Sequence, residues 1–339
     1  MIWRRKRIGL ALGGGGARGL AHVGVFKAFE ENSIPIDVIA GTSIGALVGA
    51  AFASGLSSRE MSELVDSFLE SPTFQDSALK SIKEVQESKH LSLPQKIQAF
   101  FKNRIILAQA MFRPGILHAE DFQAMIDYFL PDIEMDELKT PFVAVATDLI
   151  SGYPVALSSG PLRKAVMASC AVPGAVPPVE DDGKLLSDGG IVNLVPTTVV
   201  REMGAEFVVA VTVGSEIETE DEMKTAMDVY VRATNIMGFH LEQGDLKEAD
   251  AVIRPDVGNL HWTDFLLARD LIREGERASR ERMVDLKKAC FWGFPCSGFS
   301  FRVRRWSCTW LFLPGAEMCI TRLFPGWPSR SIVFSLWAF

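Results

Sequence analysis

The chain has 339 residues, of which 48% are hydrophobic and 23% charged, values that are ordinary for a globular protein. Its length allows one large α/β domain or two smaller ones, with a sizeable core in either case. The formal net charge of −7 argues against nucleic acid as the main partner, because phosphate binding needs a clustered basic surface.

The chain begins with a basic stretch, MIWRRKR, that looks like the start of a signal peptide. The apolar run that follows, Ile8–Leu12, is too short for the hydrophobic region of a signal and ends in four glycines. We therefore predict a strand that enters a turn. With no credible export signal, the expected compartment is the cytoplasm.

This first strand leads into a glycine loop, GGGGARG at residues 13–19, and then into a predicted helix at Leu20–Glu31. The loop fits GxGxxG, which is a weak signal by itself. It lacks the acidic residue at the end of the next strand that dinucleotide sites use, and no Gly-Lys-Ser/Thr follows for a P-loop. Such a loop can be a tight structural turn, or it can aim several N–H groups at one point and stabilise an oxyanion.

Residues 38–56 carry no charge, and a hydropathy scan would offer them as a membrane span. Within them a predicted strand, Val38–Ala40, is followed by Gly-Thr-Ser-Ile-Gly at residues 41–45 and by a predicted helix, Ile44–Ser54. GxSxG between a strand and a helix is typical of a nucleophile turn, which forces the serine into a strained, exposed position. The helix that is left is far shorter than the roughly 20 residues that cross a bilayer.

Residues 57–139 interrupt the alternation of strands and helices with a mainly helical insertion. Helical patterns cover Glu60–Leu69 and Ala119–Phe129, and residues 97–112 are amphipathic. Two interpretations stay open for this insertion. It is either a lid that faces lipid or a helical layer packed on the sheet.

After the insertion the alternation resumes and predicts a mostly parallel sheet with helices on both faces, which is an α/β fold. The predicted strands are Phe142–Thr147, Pro154–Leu157, Phe207–Val213 and Ala251–Arg254. The predicted helices are Leu162–Ser169, Thr197–Met203, Met223–Glu242 and Asp264–Lys288.

A serine nucleophile needs a base, and the chain offers two kinds. Of the histidines at positions 22, 90, 118, 240 and 261, only His261 lies in a loop late enough for the order Ser, acid, His of an α/β-hydrolase. The alternative is Asp188 in Asp-Gly-Gly. An isolated Asp-Gly-Gly is usually only a turn, but a buried carboxylate beside a serine hydroxyl can act as the base directly, because desolvation raises its pKa.

Taken in order, these motifs resemble the patatin-like phospholipase family, and especially its bacterial members related to the catalytic domain of neuropathy target esterase. The segment ASCAVPGAVPPV at residues 168–179 is also similar to the Ala-Ser-x-x-x-Pro segment of that family. The resemblance covers roughly residues 6 to 285. The matching positions are Gly14, Gly15, Gly16, Arg18 and Gly19 of the glycine loop, Gly41, Ser43 and Gly45 of the serine turn, and Asp188, Gly189 and Gly190 of the aspartate turn.

The resemblance implies a three-layer α/β/α fold and serine acyl-hydrolase chemistry on phospholipid or lysophospholipid esters. In that chemistry Ser43 attacks the ester carbonyl, Asp188 takes its proton, and the N–H groups of Gly14, Gly15 and Gly16 hold the oxyanion. Arg18 either braces the loop or meets the phosphate, and bracing is favoured. No metal or other cofactor is implied, and the lipid is met at a membrane surface.

Two other functions stay open beside the lipid acyl hydrolase. One is a regulatory or lipid-binding protein that keeps the fold with little turnover. The other is a conventional triad esterase that uses His261. The oligomeric state is left undetermined by the sequence.

The last 49 residues, 291–339, differ in composition from the acyl-hydrolase domain predicted for residues 1–290. They hold five of the seven tryptophans and neither lysine nor aspartate. Three interpretations compete: a basic, aromatic segment for membrane interfaces, a small packed subdomain, and a stretch read out of frame. The five cysteines, four of which lie at or after position 290, form no CxxC pair and indicate neither a zinc site nor a redox motif.

Overall fold

The computed structural model describes residues 5–75, 118–214, 216, 217, 219, 223–258, 260 and 264–291. The strands are β1 Ile8–Leu12, β2 Val38–Thr42, β3 Phe142–Asp148, β4 Pro154–Leu157, β5 Val179–Asp181, β6 Lys184–Asp188, β7 Phe207–Val211 and β8 Ala251–Ile253. The helices are α1 Ala21–Glu31, α2 Ile44–Ser54, α3 Ser58–Glu70, α4 Pro72–Gln75, α5 Ala119–Phe129, α6 Leu162–Ser169, α7 Thr197–Glu202, α8 Ala226–Asp245 and α9 Ala268–Phe291. Short 3-10 turns cover Gly16–Leu20, Met135–Glu137, Gly189–Ile191, Leu246–Glu248 and Phe265–Leu267.

Within the described residues the strands form one sheet in the order β5-β6-β3-β2-β1-β7-β8, with β4 paired to β3. Five neighbouring strands of this order run parallel to one another, namely β3, β2, β1, β7 and β8. The antiparallel pairs, β3 with β4, β3 with β6 and β5 with β6, lie at one edge. The predicted mixed α/β fold with a mostly parallel central sheet is confirmed.

The side chains of β1 explain why the sheet is covered on both faces. Ile8, Leu10 and Leu12 alternate toward a large core that they share with α1, α2, α3, α5, α6 and α9. The residues between them face a second core that includes Val200 of α7. There a Cβ added at Gly9 would lie only 2.1 Å from Val200 Cγ1, so this glycine lets α7 pack closely on the strand. Helices on two faces of one sheet make the three layers that were expected.

The hairpin of β5 and β6 is the part of the sheet that the sequence prediction missed. It turns at Asp182 and Gly183, both of which have positive φ, 45° and 74°. An Asp-Gly pair is a strong signal for a two-residue hairpin turn. The acidic and basic residues around it hid the strand pattern, because an edge hairpin has little buried surface of its own.

The predicted insertion is described only at its two ends. After the turn at Ser57, whose capping box begins α3, the chain forms α3 and α4, and α5 leads back to the sheet. The amphipathic residues 97–112 lie outside the described residues, and so does the tail from residue 292 onward. The uncharged stretch of residues 38–56 is a strand, a one-residue turn and an 11-residue helix. Among the described residues no helix is long and apolar enough to cross a membrane.

Candidate active site

The topology of the sheet brings the three sequence motifs to one place. Strands β1 and β2 are parallel neighbours, so the glycine loop after β1 and Ser43 after β2 leave the sheet at the same edge. Strand β6 runs antiparallel to β3, and its last residue, Asp188, pairs with Ala146. The aspartate therefore reaches the serine from the other side, across the intervening β3.

Ser43 occupies a strained turn of a single residue between β2 and α2. Its backbone φ angle of 54° lies in a region that residues other than glycine rarely adopt. The turn is tight on both sides, because a Cβ added at Gly41 would lie 2.3 Å from the carbonyl oxygen of Gly45. A Cβ at Gly45 would lie 2.3 Å from the carbonyl oxygen of Leu12. A side chain at either glycine would therefore collide with backbone atoms of the turn or of β1.

The backbone of Ser43 is held by a residue to which the sequence analysis gave no role. The N–H of Ser43 donates to Ser169 Oγ at 3.0 Å, and the Ser169 hydroxyl donates to the carbonyl oxygen of Val145 at 2.6 Å. Ser169 ends α6 and is fully buried. It thus fixes the strained turn to β3 from a position 126 residues away in sequence.

Asp188 is the charged partner of the serine. Its carboxyl group accepts hydrogen bonds from the Ser43 hydroxyl and from the Gly190 N–H, the latter at 2.7 Å. Burial raises the pKa of Asp188 to about 6, and these two hydrogen bonds only partly oppose that rise. A carboxylate with this pKa is ionised at neutral pH and is basic enough to take a proton.

The glycines after Asp188 give the turn the space that it needs. A Cβ added at Gly189 would lie 2.2 Å from the carbonyl oxygen of Val145. The Thr147 hydroxyl donates to the Asp188 carbonyl oxygen at 2.9 Å. These contacts press the aspartate turn against β3, and they set the direction of the carboxyl group.

The glycine loop lies directly beside Ser43. A Cβ added at Gly14 would be 3.4 Å from Ser43 Cβ, and one at Gly19 would be 2.1 Å from Ile44 Cγ2. The Arg18 Nε donates to the carbonyl oxygen of Gly15 at 3.1 Å, so its side chain contacts the loop itself. A side chain at Gly19 would push the loop away from the serine turn, whereas a Cβ at Gly14 would only touch Ser43.

The prediction for Gly14 needs a correction. Its N–H donates to the carbonyl oxygen of Leu194 at 3.1 Å, so this donor is already used in holding the loop. The candidate oxyanion donors that are left are the N–H groups of Gly15 and Gly16. Both residues are partly exposed, and Gly16 has a φ of 58° that suits glycine.

The histidines do not form a triad in the part of the chain that the structure describes. His22 is fully buried in α1, and its Nε2 is 2.8 Å from the carbonyl oxygen of Gly13. Burial lowers the pKa of His22 to about 4, so the ring is neutral and supports the loop. His118 and His240 are exposed. His90 and His261, and with His261 the triad alternative, lie outside the described residues.

An apolar pocket begins one residue after Ser43 and follows α2. The α2 residues in its wall, Ile44, Leu47, Val48 and Ala51, share one helical face. Residues of α3 and α5, together with Leu20, Val23 and Phe265, form the rest of it. Its empty volume is about 620 Å³ including the space open to solvent, and its lining is entirely apolar. Among the described residues, no group of three or more His, Cys, Asp or Glu side chains is placed to hold a metal ion.

Comparison with known proteins finds one family and several relatives. The family model described as patatin-like phospholipase matches residues 10–201, which is more than half of the chain. Patatin-like phospholipase domain-containing protein 7 of Rattus norvegicus is 36% identical over 215 residues. An uncharacterized NTE family protein of Mycobacterium bovis is 34% identical over 211 residues. Among solved structures, VipD of Legionella pneumophila has a TM-score of 0.43 at 14% identity, covering 84% of this chain and 67% of that one.

The matched part is a fraction of the longer relatives. It covers 63% of this chain but 14% of the rat protein, and 62% of this chain with 50% of the mycobacterial protein. The family model ends at residue 201, so it contains all three motifs and stops before β7 and α8.

Proposed function

The chain belongs to the patatin-like phospholipase family, and from that premise we propose that it is a serine acyl hydrolase of phospholipid or lysophospholipid esters. The observation that carries the proposal is the placement of Ser43 on a strained turn, beside a glycine loop and next to the buried carboxyl group of Asp188. A carboxylate whose pKa is raised to about 6 can serve as the base without a histidine.

The proposed reaction runs through an acyl-enzyme. Asp188 takes the hydroxyl proton as Ser43 Oγ attacks the ester carbonyl, and the N–H groups of Gly15 and Gly16 stabilise the oxyanion that forms. The intermediate collapses, and Asp188 returns the proton to the departing alcohol. Asp188 then activates a water that attacks the acyl-enzyme, which releases the fatty acid and restores Ser43.

The apolar pocket supports an acyl chain as the group next to the ester. Because Ile44 lies in its wall, an acyl group on Ser43 can enter the pocket at the first turn of α2. From Ile44 to Ala51 the helix rises about 10 Å, which gives the chain an apolar wall along its length. The apolar lining is typical of small-molecule sites that take apolar ligands.

We place this reaction at the surface of a membrane, where such lipids lie, and without a cofactor. A lipid-binding protein with little turnover is the competing function, because the same pocket would hold a lipid without cleaving it. The cytoplasmic location stays a prediction.

The test compares wild type, Ser43→Ala and His261→Ala on palmitoyl lysophosphatidylcholine and on p-nitrophenyl butyrate. We expect the wild type and His261→Ala to release fatty acid from both esters, and Ser43→Ala to lose at least about 10³-fold in kcat. A wild type that cleaves neither ester but binds the lysolipid would support the binding protein. Loss with His261→Ala would support the triad.

The role of the pocket is tested separately by filling it. Ala51→Phe adds a ring to the wall, and we expect the ratio of kcat/KM for palmitoyl to butyryl esters to fall by about tenfold or more. The matched control is Ala53→Ser, a buried position on the same helix that is not part of the pocket wall. An unchanged ratio in Ala51→Phe would show that the acyl chain binds elsewhere.

A further inference from the structure

Helix α8 is exposed over most of its length but makes close contacts at its last turn. Val229, Tyr230 and Met237 are 53%, 65% and 70% exposed, whereas Glu242 is 1% exposed. The helix ends at Asp245, which lies beyond the last residue that the family model matches. The last turn of α8 therefore lies outside the matched range, and it contains none of the three motifs.

The Asp245 carboxylate holds a short stretch of backbone, residues 193–195, that we call the bridge segment. The N–H groups of Leu194 and Val195 both donate to Asp245 Oδ2, at 2.8 and 2.9 Å. The bridge segment has no backbone partner for these two groups in a strand or helix. Asp245 thus supplies the acceptor that secondary structure would otherwise provide.

The other side of the bridge segment is bonded to the catalytic turns. The carbonyl oxygen of Leu194 accepts the Gly14 N–H at 3.1 Å, and the carbonyl oxygen of Asn193 accepts the Thr42 hydroxyl at 3.0 Å. Gly14 belongs to the glycine loop, and Thr42 directly precedes the nucleophile. The N–H groups of Leu194 and Val195 therefore point to α8, while the carbonyl groups of Asn193 and Leu194 point to the proposed active site.

The Leu194 side chain adds a packing contact to these hydrogen bonds. Its Cδ1 lies 3.2 Å from the position of a Cβ on Gly14 and 3.1 Å from that of a Cβ on Gly190. Leu194 thus contacts both the loop of the oxyanion donors and the turn whose N–H binds Asp188. A shift of the bridge segment would move both halves of the site.

We propose that Asp245 is a positioning residue, which fixes the glycine loop beside Ser43 by holding the bridge segment through two backbone hydrogen bonds. The proposal rests on the proposed acyl-hydrolase function. It assigns catalytic importance to the last turn of α8, because oxyanion donors stabilise the transition state only when they are held in place beforehand. A misplacement of about 1 Å can cost on the order of 100-fold in rate.

A neighbouring hydrogen bond provides the matched control. The Thr197 hydroxyl donates to the backbone carbonyl oxygen of Asp245 at 2.5 Å, and Thr197 is fully buried. Thr197→Val removes this link between α7 and the end of α8 and keeps the shape of the side chain. It leaves the hydrogen bonds between the Asp245 carboxylate and the bridge segment in place. Its effect on activity therefore measures what is lost when α8 is merely attached less firmly.

The test measures kcat and KM on p-nitrophenyl butyrate for wild type, Asp245→Ala, Asp245→Asn and Thr197→Val. We expect Asp245→Ala to lower kcat by about 10- to 100-fold with KM changed less than about threefold. Asp245→Asn keeps an acceptor oxygen, so it should recover most of that loss, and Thr197→Val should stay within about twofold of wild type. Equal losses in Asp245→Ala and Thr197→Val, or no loss in Asp245→Ala, would overturn the proposal.

A second readout does not depend on ester cleavage. Hydrogen–deuterium exchange is followed by mass spectrometry on the peptide that contains the glycine loop, in the same four proteins. We expect faster exchange at the Gly14 N–H in Asp245→Ala only, since its acceptor on Leu194 is no longer held. If the wild type cleaves no ester but Asp245→Ala still exchanges faster than the wild type, the proposed enzyme activity is refuted and the positioning contact is supported. Unchanged exchange in Asp245→Ala would refute the positioning contact alone.

Discussion

Two aspartates end neighbouring, antiparallel strands of the same sheet, and they have opposite properties. Asp148 ends β3, and hydrogen bonds lower its pKa to about 2, chiefly that from the Ser151 hydroxyl and then those from the backbone N–H groups of Ile150, Leu185 and Ser151. Asp188 ends β6 and has two hydrogen-bond donors, and burial raises its pKa to about 6. The two strands pair with Ala146 opposite Asp188 and Leu186 opposite Asp148.

The difference shows how one residue type in one kind of position takes two roles. Where many donors meet a carboxylate, the charge is stabilised and the residue fastens a turn. Where donors are few, burial of the carboxylate is not offset, the charge is held at a cost, and the group gains the basicity that proton transfer needs. On this basis Asp148 is structural and Asp188 is the candidate base.

The largest expected difference between the two aspartates is in catalysis, and it is measured by making the same substitution, aspartate to asparagine, at each position. Asp188→Asn should lower kcat on p-nitrophenyl butyrate by about 10³-fold, because removing a general base costs roughly 10²- to 10⁴-fold. Asp148→Asn should leave kcat within about twofold of wild type. Comparable losses in the two variants would break the distinction between the aspartates.

The same pair should act in opposite directions on stability. At pH 7 Asp188→Asn should stabilise the fold by up to about 3 kcal/mol, because it removes a buried charge whose pKa is raised from 3.8 to about 6. Asp148→Asn should lower the melting temperature, because the carboxylate that accepts the donors of this turn is lost. Thermal unfolding of the three proteins at pH 7 measures both effects, and a drop in melting temperature for Asp188→Asn would contradict the account.

The contributions of Asp188 and Asp148 to folding stability should also change with pH in opposite directions. Between about pH 4 and 6 the folded protein holds a proton on Asp188 that the unfolded chain has released, so stability from this group falls as the pH rises through 6. The pKa of Asp148 is depressed, so its contribution is present above about pH 4 and is lost as the pH falls toward 2. Melting temperatures of the wild type and both variants are measured from pH 3 to 7. The variant Asp188→Asn should lose the fall in stability between about pH 4 and 6, and Asp148→Asn should lose the fall in stability below about pH 4.

A smaller effect concerns the strain that the catalytic turn carries and the Asp148 turn lacks. Ser43 has a φ of 54°, which glycine adopts more easily than alanine. Ser43→Gly should therefore be about 1 kcal/mol more stable than Ser43→Ala, although both lack the nucleophile. The two variants are compared by urea unfolding. Equal stabilities would show that the turn is not strained.

The local parts of the site could be predicted from sequence because their signals lie within a few residues. Gly41 and Gly45 flank the serine, and the structure shows why each must be small. The GGGGARG loop follows β1 as expected. The family resemblance paired Ser43 with Asp188, and the local pattern around either residue could not have done so.

The rest depends on contacts between distant residues. Ser169 holds Ser43 across 126 residues, and Asp245 holds Leu194 across 51. The Ala-Ser-x-x-x-Pro segment includes Ser169 but does not reveal this contact, and no local pattern marks Asp245. Gly14 looked like its neighbours in the loop, and only the position of the Leu194 carbonyl shows that its N–H is already used. Asp148 and Asp188 are equally buried, at 6% and 7% exposed, and differ in the donors that the fold supplies, which the residue type does not reveal.

The most direct test of the central claim is the pH dependence of the acylation of Ser43. It is measured as the pre-steady-state burst with p-nitrophenyl butyrate in wild type and His261→Ala at two temperatures. We predict a rate that rises tenfold per pH unit up to a midpoint near pH 6, in both proteins, with a midpoint that hardly moves with temperature, as expected of a carboxyl group. A midpoint that falls on warming, as for an imidazole, or that disappears in His261→Ala would contradict Asp188 as the base.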